Sequence, residues 1–208
     1  GKSDVGPRRT NNEDAFLIQS DLGLCAVADG MGGAASGEVA SHMFCETVME
    51  FFSHSDTQLE NDAVGAMHAV FQAANERILN KANSEPEHGG MGCTAELLKI
   101  CDRLYVLGHV GDSRVYLFRN GQLKQITKDH SLVQEQVEQG LISALEAKTH
   151  SLRHIIMRAV GISDALAVDF IKGKILPGDI FLLCSDGLSD MIDESVIQEV
   201  LSRPLALD

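Results

Sequence analysis

The 208-residue sequence has no Lys/Arg cluster: 17 basic side chains stand against 30 acidic ones, a net charge of -13. Nucleic acid is therefore a poor partner, because binding to a phosphate backbone draws its affinity from concentrated positive charge. No apolar stretch opens the chain at Gly1-Lys2-Ser3-Asp4, and no run approaches the roughly 20 apolar residues of a membrane helix. Neither a signal peptide nor a span is expected. The five cysteines, Cys25, Cys45, Cys93, Cys101 and Cys184, are odd in number, lack C-x-x-C spacing and read as reduced core thiols of a cytosolic protein. The four prolines are scattered, and no repeat, low-complexity tract or linker divides the chain. What is present is the balance of one folded, soluble domain, with 44% hydrophobic and 23% charged residues.

Apolar runs of strand length recur at Ala15–Gln19, Leu22–Ala28, Cys93–Ile100, Leu104–Val110, Arg114–Phe118, Leu166–Ile171 and Ile180–Cys184, separated by Gly, Asp and Asn turns. Gly111-Asp112 reads as a short turn joining two antiparallel strands, and Asn120-Gly121 as a hairpin turn before Gln122–Thr127. Val64, Met67, Phe71, Ala74 and Ile78 fall at helical steps and predict a helix from about Asp62 to Asn83. A second helix follows Ser36-Gly37 through Val39, Met43 and Val48; Leu132–Gln139 and Glu194–Leu201 are also helical, whereas Ser143–Ser151 reads as short, polar and mobile. Strands, long helices, strands and short helices in that order predict α+β layers rather than a parallel βαβ sheet.

Three apolar strands each run into an aspartate beside glycine: Cys25 to Asp29-Gly30, Leu107 to Gly111-Asp112, and Leu182 to Asp186-Gly187. A strand end fixes a carboxylate on a rigid element, and glycine lets the backbone turn sharply and approach an ion. Glu13-Asp14 adds acidic groups ahead of the first strand. Hard cations such as Mg²⁺ and Mn²⁺ favour oxygen donors, so an aspartate cluster poor in His and Cys points to them and away from zinc.

Six stretches then carry a resemblance: Arg9-Thr10-Asn11-Asn12-Glu13-Asp14-Ala15, Val27-Ala28-Asp29-Gly30-Met31-Gly32-Gly33, Gly92-Cys93-Thr94-Ala95, Gly111-Asp112-Ser113-Arg114, Thr127-Lys128-Asp129-His130-Ser131 and Ser185-Asp186-Gly187. In order and content they resemble the successive motifs of metal-dependent protein Ser/Thr phosphatases of type 2C (PPM), and Met31 with the segment from Asp129 through Gly161 resembles the bacterial, cytosolic branch. The resemblance implies a four-layer α-β-β-α sandwich with two central, mostly antiparallel sheets flanked by helices, and a flap at about residues 129–160. It implies that Asp29 bridges two Mg²⁺ or Mn²⁺ ions, that Asp186 binds the first, and that Asp14, with or without Glu13, serves the second alongside the Gly30 carbonyl. Asp112 matches the position that helps hold a third, weaker ion. Arg9 matches the phosphate-binding arginine, whose planar fork suits two phosphoryl oxygens. Catalysis would rest on Arg9, Asp29 and Asp186, with a water bridging the ions attacking phosphorus. No cysteine has Arg six positions later and no D-x-D-x-T arrangement occurs, so the chain lacks the signatures of covalent phosphoenzyme chemistry. The implied substrate is a phosphoserine or phosphothreonine protein, the implied counterpart a Ser/Thr kinase, and the implied state a cytoplasmic monomer.

The sequence also departs from the family. Eukaryotic members carry His where this chain has Met31, and that His is thought to protonate the leaving alkoxide; His42 reads as a helix residue rather than its replacement. The family continues past Ser185-Asp186-Gly187 to an Asp-Asn motif on a late strand, and opens with a strand before Ser3-Asp4-Val5-Gly6. This chain stops at Asp208 without the former and lacks the latter, so a trimmed version of a longer protein with a weakened first metal site is the expectation. His150 and His154 stand at i, i+4 but without a third ligand they read as polar flap residues, and Arg153 or Arg158 as flap charges able to touch substrate. Two alternatives to a protein phosphatase follow: a catalytically impaired pseudophosphatase that binds phosphoproteins as a scaffold, and a phosphatase of small metabolites.

Overall fold

The computed structural model describes residues 1–7, 9–32, 36–53 and 60–203; Gly33 of the glycine-rich motif and the final Asp208 lie outside the described residues. Among the described residues nine strands form two antiparallel sheets. The larger runs in the order β1 (Asp14–Gln19), β2 (Leu24–Met31), β4 (Ala95–Cys101), β5 (Leu104–Val110) and β8 (Asp169–Lys174), with β3 (Gly92–Cys93) paired to the end of β2. The smaller has the order β7 (Gln122–Gln125), β6 (Arg114–Arg119), β9 (Ile180–Cys184).

Two long helices, α1 (Ser36–Ser53) and α2 (Glu60–Ser84), cover the outer face of the large sheet. The stripe read from the sequence faces inward: Met67, Phe71, Ala74 and Ile78 are fully buried with Phe44 and Val48 of α1, against Leu24, Ala26 and Ala28 of β2. Burial of each such large side chain contributes about 1.5–3 kcal/mol. Between the sheets lies a second core of Leu98, Tyr105, Leu107 and Val115, with Phe181 and Leu183 against it. Tyr116, on the opposite face of β6 from Val115, reaches Glu194 at the start of α6 (Glu194–Leu201), and Gln198 Oε1 accepts the Leu123 N–H, so α6 covers the small sheet. The α-β-β-α order of layers is thus realised.

Three expectations need correction. β5 and β6 are not a hairpin: each belongs to a different sheet, and Gly111, at φ 112°, hands the chain from one to the other. β5 is buried on both faces, so its apolar pattern carries no preference for which neighbour it pairs with. β8 starts at Asp169, not Leu166, because the ladder with β5 begins at His109↔Asp169; Leu166 and Val168 pack against the helix-side core instead. Ser143–Ser151 holds a helix, α4 (Ala144–Thr149), closed by a capping box in which the Ser143 hydroxyl accepts the Glu146 N–H and the Glu146 carboxylate accepts the Ser143 N–H. Its neighbour α3 (Leu132–Glu138) is capped by Ser131.

Candidate active site

Strand register gathers the carboxylates. Asp14, the first residue of β1, is the direct cross-strand partner of Asp29 near the end of β2. In the small sheet Arg114 pairs with Cys184, so continuing the register by two residues sets Asp112 opposite Asp186. Asp186 opens the short helix α5 (Asp186–Ser189), and β2 packs against β9, which brings the two pairs together. Hydrogen bonds tie the pieces: the Ser185 hydroxyl donates to Asp14 Oδ2 at 2.9 Å, and the Asp29 N–H donates to Thr94 Oγ1 at 2.9 Å. The Thr94 hydroxyl also shares a 2.7 Å hydrogen bond with the Ser113 hydroxyl, beside Asp112.

Gly30 makes the site possible. A Cβ there would lie 2.1 Å from the Gly37 carbonyl oxygen at the start of α1 and 2.7 Å from the Glu13 carbonyl, both backbone atoms with no room to yield. We expect Gly30→Ala to destabilise the fold by at least about 3 kcal/mol, because overpacking here must push a helix off a sheet. Urea denaturation gives the value, and a loss under about 1 kcal/mol would mean that the helix start yields freely.

The cluster is electrostatically unsatisfied. Burial, then the charges of Asp14, Asp186 and Asp112, push Asp29 up to about 8. Burial and Asp186 likewise raise Asp112 to about 7. Asp14 is raised by burial, against the opposing hydrogen bond from Ser185, with the charge of Asp186 adding to the rise. Arg9 is near enough to lower both Asp14 and Asp29. Its guanidinium is exposed and donates to Glu13 Oε2 at 2.8 Å, so Glu13 holds Arg9 at the rim while its backbone carbonyl accepts the Gly30 N–H. An all-oxygen donor set in which Asp14, Asp29 and Asp112 are pushed upward by burial and then by neighbouring carboxylates fits a hard divalent cation, whose charge relieves the repulsion.

Asp112 and Asp186 border a cavity of about 440 Å³ lined also by Asp129, Arg153, His154 and Asp190. Asp129 takes the Arg114 guanidinium in a fork, with Nη2 to Oδ2 at 2.6 Å and Nε to Oδ1 at 3.0 Å. Asp129, Asp190, Asp193 and Glu194 of this lining stand outside the strand-end aspartate–glycine pattern by which the sequence marks Asp112 and Asp186. Asp190 had a signal, four residues after Asp186 and hence on its side of a helical turn. His150 and His154 do not act together: His150 Nδ1 accepts the Leu152 N–H, whereas donor atoms of His154, Asp186 and Asp190 lie within 4.8 Å of one another. Arg153 Nε is 3.8 Å from Asp190, and Arg158 bonds Asp169 at 3.0 Å, away from the cavity lining. Cys45, Cys93 and Cys184 are poor nucleophiles, since burial pushes Cys45 and Cys184 up to about 12 and Cys93 well upward.

Two face-to-face antiparallel sheets with carboxylates converging at one end define a class of cation-dependent hydrolase fold. Residues 7–205 match the family model of protein phosphatase 2C. Among characterised proteins the chain is 39% identical over 204 residues to the serine/threonine protein phosphatase PstP of Mycobacterium tuberculosis, covering 98% of this chain and 38% of that protein. It is 35% identical over 210 residues to the serine/threonine phosphatase stp of Listeria monocytogenes, covering 99% of this chain and 83% of that one. The crystal structure of the PstP catalytic domain in complex with two manganese ions superposes with a TM-score of 0.85 at 36% identity, over 98% of this chain and 83% of that one. The chain belongs to the protein phosphatase 2C family.

Proposed function

We propose that this chain is a Mg²⁺- or Mn²⁺-dependent phosphatase of phosphoserine and phosphothreonine proteins, acting in the cytoplasm as a monomer against a Ser/Thr kinase. The observation that carries the proposal is the convergence of Asp14, Asp29, Asp112 and Asp186, where burial and then the neighbouring carboxylates push Asp29 up to about 8. A scaffold free of catalytic demand gains nothing from such repulsion, and the enzymatic names of the relatives favour activity over a pseudophosphatase. Among the described residues no helix is long and apolar enough to cross a membrane.

In this reading Asp14, with or without Glu13, Asp29 and Asp186 would hold two cations together with the Gly30 carbonyl, and Asp112 would help hold a third. Bound there, the ions supply charge neutralisation at the phosphoryl group and acidification of a water molecule. Arg9 grips the phosphoryl oxygens, for which it must exchange Glu13 for substrate. Met31 has no proton to give, so a water or another group must protonate the leaving alkoxide. Hydrolysis of a phosphothreonine peptide by this chain is expected with Mn²⁺ and is expected to vanish with EDTA or Asp29→Ala. A folded chain that binds the peptide without turning it over would instead establish the phosphoprotein-binding scaffold.

A further inference from the structure

β4 carries a fully buried Glu96 as the cross-strand partner of a fully buried His109 on β5. Glu96 Oε1 and His109 Nδ1 are 2.5 Å apart, while Glu96 Oε2 is buried with no hydrogen-bond partner among the described residues. The proposed chemistry uses neither group, yet a buried carboxylate is costly to keep. On its far side His109 Nε2 is 2.8 Å from the Lys128 carbonyl oxygen, which can only accept, so Nε2 carries a proton. The ring of His109 lies against that of His130, centroids 4.4 Å apart.

His130 in turn grips the sheet-to-sheet turn. The Gly111 N–H donates to His130 Nδ1 at 3.1 Å, and the His130 N–H donates to the Gly111 carbonyl at 2.7 Å. Nδ1 is therefore unprotonated and Nε2 bears the proton, 3.2 Å from Asp169 Oδ2. Arg158 Nη1 lies 3.2 Å from the same Nε2, with its own N–H committed to Asp169 Oδ1 at 3.0 Å. Both backbone polar groups of the residue preceding Asp112 thus depend on one side chain and its peptide.

We propose that His130 is a positioning residue for the Asp112 carboxylate, braced by the buried Glu96–His109 pair that fixes the Lys128–His130 segment behind it. Burial and the neighbouring His109 hold His130 down to about 4, so its Nδ1 stays an acceptor at neutral pH. The inference rests on the reading of the aspartates as a cation site and concerns how one of them is aimed. Partners one shell beyond the ligands typically change metal affinity by about 10–100-fold.

The test compares His130→Leu, which removes the acceptor, with His130→Asn, whose Oδ1 can take the place of Nδ1. Mn²⁺ binding is followed by calorimetry, and exchange of the Gly111 amide is followed by NMR in EDTA. His130→Leu is expected to weaken the weakest Mn²⁺ site about tenfold and to speed Gly111 exchange about tenfold, with His130→Asn within about twofold of wild type in both. Equal losses in the two variants, or none in either, would overturn the inference. If the wild-type chain bound no Mn²⁺, the cation reading itself would fail; the Gly111 exchange would still decide the turn's dependence on His130. Should His130→Leu not fold, His109→Phe keeps a ring against His130 while dropping the bonds to Glu96 and Lys128. It is expected to weaken Mn²⁺ about threefold, and wild-type affinity in it would count against the brace.

Discussion

Asp29→Asn will lose at least about 10³-fold in phosphatase activity and yet, in EDTA, unfold at a higher temperature than the parent chain. The two effects have one cause. Asp29 is buried among Asp14, Asp186 and Asp112, and the cost of keeping it there shows as a pKa of about 8 against 3.8 for a free aspartate. Each unit of such a shift is about 1.4 kcal/mol, and although neighbouring carboxyls relax and share the strain, relief of about 2 kcal/mol is a reasonable expectation. Asn has the same shape, and its amide can donate to the Asp14 carboxylate that faces it across the strand pair. Without the carboxylate, Mn²⁺ loses its central ligand, so the rise in melting temperature that Mn²⁺ gives the parent chain should shrink to near nothing in the variant. Paired thermal scans of the two proteins with EDTA and with Mn²⁺ read all of this. A variant less stable than the parent in EDTA would mean that Asp29 is a structural residue rather than a strained ligand.

The aspartate cluster was more legible in sequence than the pairing of the strands around it, for a physical reason. Asp29, Asp112 and Asp186 announce themselves because an apolar run ending in aspartate and glycine is a local pattern, and a strand end is where a carboxylate can be both rigid and wet. The helical stripe from Val64 to Ile78 is local too, and its residues face the core. Sheet membership is not local. Nothing in Leu104–Val110 or Arg114–Arg119 says that the two strands part company at Gly111, since both are apolar on both faces at their centres. The start of β8 is set by its ladder with β5, not by the apolar residues Leu166 and Val168 that precede it. α4 had a readable signal, Ser143 three residues before Glu146, which outweighs its polar composition. Glu96 and His109 had none. Thirteen residues separate them in sequence, and only the β4–β5 register makes them a pair.

Stabilisation by Mn²⁺ should grow steeply as pH rises from about 6 to about 8.5. Without a cation, the folded chain keeps protons on Asp29 up to about 8 and on Asp112 up to about 7, whereas an unfolded aspartate gives its proton up near 3.8. Groups raised in this way contribute stability that is fully present below the unfolded value and lost as pH climbs through the folded one, so the melting temperature in EDTA should fall over this interval. Glu96, pushed up to about 7 by burial, acts in the same sense in EDTA but cancels when Mn²⁺ and EDTA samples are subtracted at each pH. His130 has the opposite sign: held down to about 4, it costs stability only as pH falls below its unfolded value near 6.5, outside most of the interval tested. A cation that replaces the two aspartate protons must expel them, so the logarithm of its apparent affinity should rise by up to about two per pH unit below 7 and flatten above 8. Calorimetric titration with Mn²⁺ in buffers of different ionisation enthalpy counts those protons directly. A pH-independent affinity with no proton release would show that the ion binds elsewhere than among Asp14, Asp29 and Asp112.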